Sequence, residues 1–268
     1  MSKSRHLRKV ISASRRVDLV TFYPDYTVDR IKQIGVENIH TLVIWTKNPE
    51  NILSHPRLKN CLEELDHMYI LLTVTGLGGT PLEPFAPDTE EVFGQLPQII
   101  DFIGSPQRLA IRYDPLIDAL HKGKRHISNI NMNLFEEILE KASSLGIKRI
   151  IVSYVTLYKK VIERLKRNEF AIVDHKIEEI TDFIKNKMKP RVEKLGMELS
   201  TCVLPDLTTK GCIDGNTLSL LHPKQEPCSK AKDRSQRQTC HCTKSYDIGQ
   251  WFSCYHNCLY CYGNPSPP

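Results

Sequence analysis

The chain has 268 residues, 40% of them hydrophobic and 25% charged, which is apolar enough for one large core or two modest ones and excludes wholesale disorder. Lys and Arg number 37 against 31 Asp and Glu, a mild positive excess scattered over helix faces apart from a denser run from Lys224 to Arg237, so nucleic acid is an open partner class but not a demanded one. No stretch approaches the roughly 18 consecutive apolar residues of a membrane span, and the basic start MSKSRHLRKVISAS lacks the apolar run of a signal peptide, so we expect a cytoplasmic protein without membrane contact.

The first two thirds alternate between β-branched and amphipathic runs. Strands are expected at Lys9 to Ala13, His40 to Thr46, Tyr69 to Thr75, Arg108 to Tyr113, Arg149 to Val155 and Glu198 to Val203. Helices are expected between them, at roughly Thr27 to Ile34, Glu90 to Ile103, Asn133 to Leu145, Leu157 to Arg167 and Lys176 to Leu195. Leu134, Ile138, Leu139, Ala142 and Leu145 form one apolar helix face, and Gly146 is placed to stop that helix. The junctions QIGVENIHTLVIW, SLGIKRIIVSYV and KLGMELSTCVL repeat one design, a helix-terminating Gly followed by a strand. Six such units predict an α/β fold with a parallel sheet, either curled into a barrel or open and doubly wound.

In that architecture the loops leaving the C-terminal ends of the strands carry chemistry. Polar residues concentrate there: Arg15, Arg16 and Asp18 after the first strand, Lys47 after the second, Thr73 and Thr75 at the third, Arg112 and Asp114 at the fourth, Tyr154 and Tyr158 after the fifth. For any one of them an ordinary solvated loop residue, or an Arg112–Asp114 ion pair, is the competing reading. GLGG (76 to 79) lacks the spacing and the lysine of a phosphate-binding loop and reads as a strand-end turn. Past Pro205 the pattern breaks into an irregular tail with a short helix near Thr217 to Leu221. The expected division is a βα barrel core over 1–205 and a Cys-rich tail over 206–268.

Of nine cysteines, Cys61 and Cys228 stand alone, and the other seven are Cys202, Cys212, Cys240, Cys242, Cys254, Cys258 and Cys261. Clustered thiols in a chain without a secretion signal point to metal rather than disulfides. The last three, in CYHNCLYCYG, have C-x3-C-x2-C spacing. Zinc closed by four ligands is the alternative, but its usual sign is two C-x2-C pairs. Three thiolates instead suit a 4Fe-4S cluster that keeps one iron open to a small molecule.

With Tyr260 before its last Cys, this motif resembles the signature of the radical S-adenosylmethionine enzymes, and CYHNCLYCY resembles the form in the subgroup related to spore photoproduct lyase. In those enzymes S-adenosylmethionine chelates the open iron, and an electron from the cluster cleaves it to a 5'-deoxyadenosyl radical. There the motif follows the first barrel strand. Here SASRRVDLVTFYP, VIWTKNPENIL and TVTGLGGTPLEPFAPDTEEVF resemble later segments of the same subgroup, so the resemblance implies a circularly permuted (βα)6 partial TIM-type barrel whose cluster segment has moved to the back. From about Val10 to Asn264 the chain also resembles the family of domain of unknown function 1848, through ISASRRVDLVTFY, WTKNP, LEP, RYDP, TCV with GCID, and CHCTKSYDIG with CYHNCLYCYGN. It departs at Val17 and at Leu19-Val20, where that family has Thr and Ile-Pro.

The resemblance implies metal ligation by Cys254, Cys258 and Cys261. Cys202, Cys212, Cys240 and Cys242 would close a second site, iron-sulfur or zinc, since C-x9-C followed by C-x-C is not a standard zinc spacing. S-adenosylmethionine would need cations for its carboxylate, from Arg15, Arg16, Lys47 or Arg112, and partners for its ribose, from Asp18, Thr73, Thr75 or Asp114. Tyr260 would pack at the cluster or on the adenine, and Tyr113, Tyr154 and Tyr158 could shield a radical. An electron donor such as a flavodoxin or ferredoxin follows as a partner. The substrate is not legible.

Overall fold

The computed structural model describes residues 7–204, 207 and 209–268. The expected boundary between residues 205 and 206 lies outside the described residues, as do the first six of the basic N-terminal stretch. The described residues form twelve strands: β1 (Lys9–Ala13), β2 (Ile39–Thr46), β3 (Met68–Thr73), β4 (Leu109–Leu116), β5 (Asp118–His121), β6 (Arg125–Ser128), β7 (Arg149–Tyr154), β8 (Phe170–Ile172), β9 (Glu198–Thr201), β10 (Tyr246–Asp247), β11 (Ser253–Cys254) and β12 (Asn264–Pro265). Seven of them form one sheet in the order β10-β1-β2-β3-β4-β7-β9, and every pairing in it is parallel. The α/β class and the parallel sheet are as the sequence predicts.

All eight residues of β2, IHTLVIWT, are buried, as expected of a strand covered on both faces. Side chains alternate across the sheet, so its two faces have different partners. Ile11, Leu42, Ile44, Ile70, Leu72, Ile111 and Ile150 point into the main core, packed on Leu96, Ile99, Phe135, Ile138 and Val192. Val43, Trp45, Tyr69, Leu71, Ala110 and Ile151 point the other way, and what covers them is the cysteine-rich segment through Cys212, Ile213, Leu218, Cys228, Cys240 and Cys242. The thiol-bearing stretch is therefore a layer of the core.

The helices follow their local signals. Asp88 accepts from Glu91 N at 2.9 Å and closes a capping box on the helix Thr89–Ile103, while Asn131 caps Met132–Ser144. The glycines of the three repeated junctions, Gly35, Gly146 and Gly196, have φ of +82°, +76° and +63°, the left-handed turn in which an L side chain is strained. Residues Ile177–Lys194 run as one helical rod with a π segment at Ile184–Met188.

Five features depart from the expected pattern. β9 stops at Thr201 because the chain turns to a positive φ of 61° at Val203. β3 stops at Thr73, two residues early, and β4 continues past Tyr113 to Leu116. β5, β6 and β8 make a small antiparallel sheet that was not expected, since the three- and four-residue segments DALH, RHIS and FAI are too short to carry a clear period. The seventh strand of the main sheet, β10, comes from the tail and pairs Tyr246 and Asp247 with Ile11 and Ser12.

Candidate functional site

β10 delivers the C-terminal thiols to the end of the sheet where the strands finish. Directly after the pairing with β1, the Asp247 carboxylate accepts from Ser14 Oγ at 2.6 Å, Arg15 N at 3.0 Å and Gly249 N at 3.0 Å, so one acid fastens the loop after β1 to the tail. Arg16 Nη1 adds a bond to the Gly249 carbonyl at 2.8 Å, and Tyr262 Oη donates to the Arg15 carbonyl at 2.5 Å.

The loop carrying Cys254, Cys258 and Cys261 has three further anchors. His256 Nε2 lies 2.9 Å from Asp18 Oδ2, an oxygen that also accepts from Thr46 Oγ1 at 2.9 Å and Lys47 N at 2.8 Å. Tyr260 Oη donates to Glu83, whose carboxylate also accepts from Thr75 Oγ1 at 2.6 Å and Lys47 Nζ at 2.7 Å. Arg164 Nη1 donates to the carbonyls of Leu259 at 3.1 Å and Cys261 at 2.6 Å.

These buried groups set the local electrostatics. Burial pushes the Glu83 carboxyl up, but the charge of Lys47 and bonds from Lys47, Thr75 and Tyr260 outweigh it, and the net shift is downward. Burial likewise opposes the Lys47 ammonium, and Glu83, together with Cys258 and Cys261, reverses that to a net rise. Lys47 thus stands as a cation beside two of the three thiols. Burial pushes Cys254 up to about 12 and also raises Cys258 and Cys261. Thiols raised in this way ionise readily when a metal binds, because the thiolate is the ligand and the metal supplies the countercharge.

The other four thiols are neighbours that shift one another's titration in the order Cys202, Cys212, Cys242, Cys240, and Cys242 N donates to Cys240 Sγ at 3.5 Å. The bond from Cys212 lowers Cys202 to about 7 against the effect of burial, with help from Arg112. Bonds from Cys212 and Cys240 lower Cys242 as well, and Arg15 adds to that. Arg149, almost fully buried on β7, donates on the face the cysteine-rich segment covers to the carbonyls of Gly211 at 2.7 Å and Cys212 at 3.3 Å and to Ser200 Oγ at 3.0 Å. Gly211 is required by close approach: a Cβ there would lie 2.4 Å from Cys242 Cα and N.

All seven of these cysteines line one cavity of about 430 Å3. Arg15, Arg16, Asp18, Lys47, Thr73, Arg112, Asp114, Tyr154, Tyr158 and Tyr260 line it too. On its wall the guanidiniums of Arg15 and Arg112 stand over the Trp45 ring at 5.1 and 4.9 Å, and Trp45 Nε1 donates to Ser12 Oγ at 3.0 Å. Arg112 is paired with Asp114, and its buried Nε has no hydrogen-bond partner. Two expected residues lie elsewhere. Thr75 sits behind the wall with its hydroxyl on Glu83, and Tyr113 points into the main core with Oη on the Asn129 carbonyl at 2.7 Å, because β4 turns it toward Phe135. Among the described residues, no three His, Cys, Asp or Glu side chains converge on a point that would hold a single metal ion.

Sequence reasoning passes over Asp247, Glu83, Arg149, Arg164 and Trp45. Glu83 and Asp247 had a weak signal, since each is the lone acid of a short conspicuous stretch, LEP and SYDIG. Arg149 and Arg164 had none, because a basic residue at a strand start or on a helix is ordinarily solvated.

A parallel βα sheet with a polar, cysteine-lined cavity at the C-terminal ends of its strands defines an α/β protein with its candidate chemistry at that face. The chain belongs to a family described as Domain of unknown function (DUF1848), whose model matches residues 10–263. Among solved structures it is similar to Streptococcus suis SuiB bound to S-adenosylmethionine, at 8% identity and a TM-score of 0.40, over 74% of this chain and 52% of that one. It is also similar to a D-allulose 3-epimerase from Methylomonas sp., at 12% identity and a TM-score of 0.38, over 82% and 70%, and to a second SuiB structure at 14% identity and 0.33, over 74% and 50%. The chain spans about half the length of SuiB. No curated protein matches it. No helix among the described residues is long and apolar enough to cross a membrane.

Proposed function

We propose that this protein is a radical S-adenosylmethionine enzyme. The observation that carries the reading is the convergence of a C-x3-C-x2-C loop, four further thiols and several guanidiniums on one cavity at the strand ends. Cys254, Cys258 and Cys261 would hold a 4Fe-4S cluster, and Cys202, Cys212, Cys240 and Cys242 a second metal site. A cubane spreads its protein thiolates over different irons, so its ligands need not converge on one point as they do around a single ion. Bound there with S-adenosylmethionine on its open iron, the cluster would supply the electron that generates a 5'-deoxyadenosyl radical.

The chain's own residues have separate tasks. Asp18, Glu83 and Arg164 hold the cysteine loop through His256, Tyr260 and two carbonyls. Lys47 offsets thiolate charge. Arg15, Arg16 and Arg112 offer cations to the methionine carboxylate or to substrate, Asp18 and Thr73 offer polar contacts, and Tyr154, Tyr158 and Tyr260 limit water in the cavity. We also propose that the barrel is circularly permuted, with residues 206–268 supplying the segment that opens the fold in related enzymes. The parallel pairing of β10 with β1 supports this. An electron donor of the flavodoxin or ferredoxin type would be required.

Anaerobic reconstitution with iron and sulfide, followed by dithionite and S-adenosylmethionine, tests the function. Release of 5'-deoxyadenosine that disappears in Cys258→Ala is expected. A fully loaded cluster without cleavage, or zinc as the sole bound metal, overturns it.

A further inference from the structure

We propose that the rim of the cavity is a platform for single-stranded nucleic acid. Three aromatic rings stand in a row at the mouth: Tyr158, Tyr262 and Trp251, exposed by 41%, 40% and 54%, with centroid separations of 6.5 Å at each step. Tyr158 and Tyr262 also line the cavity, so the row leads into it. Large rings left in water at a cavity mouth mark a surface that is covered in the working state.

The charges around the row identify what covers it. Inside the cavity the cations have buried acid partners, Lys47 on Glu83 and Arg112 on Asp114. At the rim the balance changes. Arg16 and Lys160 stand 5.5 and 5.2 Å from the Trp251 ring, and Arg237 leans on Thr156 Oγ1 at 3.1 Å. Neither Lys160 nor Arg237 has a carboxylate within ion-pair reach among the described residues, and the whole chain carries a formal charge of +6. Arg16 also reaches the Asp247 carboxylate at 3.5 Å, so Lys160 and Arg237 are the cations left over, and exposed rings interleaved with them match a ligand that alternates flat faces with anionic groups, which is the chemistry of unpaired bases on a phosphodiester chain. A duplex buries its base faces, and an acidic peptide lacks them. The platform contains none of the cysteines, so this inference does not depend on the metal chemistry proposed above.

Fluorescence anisotropy of the full chain with labelled single-stranded DNA and RNA, the corresponding duplexes and poly-glutamate tests the platform. Trp251 is one of two tryptophans and the other, Trp45, is buried, so stacking is read directly as quenching of the exposed indole. A single strand is expected to bind, to quench emission, and to lose about tenfold or more in affinity in Trp251→Ala. Replacing Lys160 and Arg237 with Ala should flatten the salt dependence. Trp251→Phe, which keeps a ring, should bind nearly as the parent but without the quench. Cys258→Ala should bind as the parent, so loss of radical activity and loss of binding are separable. Absence of single-strand binding at low salt overturns the proposal, as does equal binding of duplex or poly-glutamate with Trp251 emission unchanged.

Discussion

His256 and Asp18 lie 238 residues apart in the chain, yet His256 Nε2 and Asp18 Oδ2 meet at 2.9 Å in a buried pair between the loop after β1 and the cysteine loop of the tail. The same oxygen is bonded by Thr46 and the Lys47 amide, so one carboxylate joins β1, β2 and the tail. Replacing Asp18 with Ala strands a buried imidazole and a backbone N–H. We expect a loss of about 1–3 kcal/mol in urea unfolding, together with reduced iron retention at the C-terminal thiols. Unchanged stability and unchanged iron content would refute this role.

Glu83 is buried against Lys47, Thr75 and Tyr260. Glu83→Gln leaves the Lys47 ammonium buried without its counterion and should cost about 3–5 kcal/mol. Lys47→Met in that background should restore part of the loss, because an uncharged pair no longer carries the desolvation penalty. Additive single and double losses in a double-mutant cycle would show that the two do not interact.

Arg149→Lys should separate the two thiol groups. A lysine cannot reproduce the forked bonds to the Gly211 and Cys212 carbonyls and Ser200. Metal analysis of the reconstituted variant should show loss at the four-thiol site with the three-thiol site retained. Gly211→Ala, by pushing a Cβ into the Cys242 backbone, should give the same pattern.

Acid should weaken the far end of the sheet. His40, His67 and His222 cluster there, with ring centroids 4.4 Å apart for the tilted His40–His222 pair and 5.4 Å for the edge-on His67–His222 pair, facing Arg8, Arg108, Asp66 and Glu226. Burial first, then neighbouring positive charge, lowers His67 to about 3, and burial and His40 lower His222 to about 4. Below their ordinary value of about 6.5 the unfolded chain takes up protons that the folded protein refuses, so stability falls as pH drops from about 6.5 toward 4. The melting temperature should decline over that window. His67→Gln should flatten the decline, and an equal slope in the variant would assign the acid sensitivity elsewhere.

Much of the frame was legible in the sequence because it rests on local physics. Gly35, Gly146 and Gly196 each end a helix in a left-handed turn, and β-branched runs such as IHTLVIWT follow from the need of a two-sided buried strand for continuous apolar residues. Cysteine spacing needs no tertiary contact to be read. What the sequence by itself determined was therefore the βα repeat, the parallel sheet and the identity of the thiol-bearing segments. Only the tertiary structure decided that Tyr246 and Asp247 extend the sheet beside β1, that the segment around Cys212 and Cys242 covers one of its faces, and that Thr75 and Tyr113 turn away from the cavity. It also paired Glu83 with Tyr260, Asp18 with His256 and Arg149 with the Gly211 turn. The reason is physical: periodicity encodes which side chains leave water and which backbone angles are allowed, whereas the partner of a buried polar group is whatever distant segment the packed layers bring within hydrogen-bond reach.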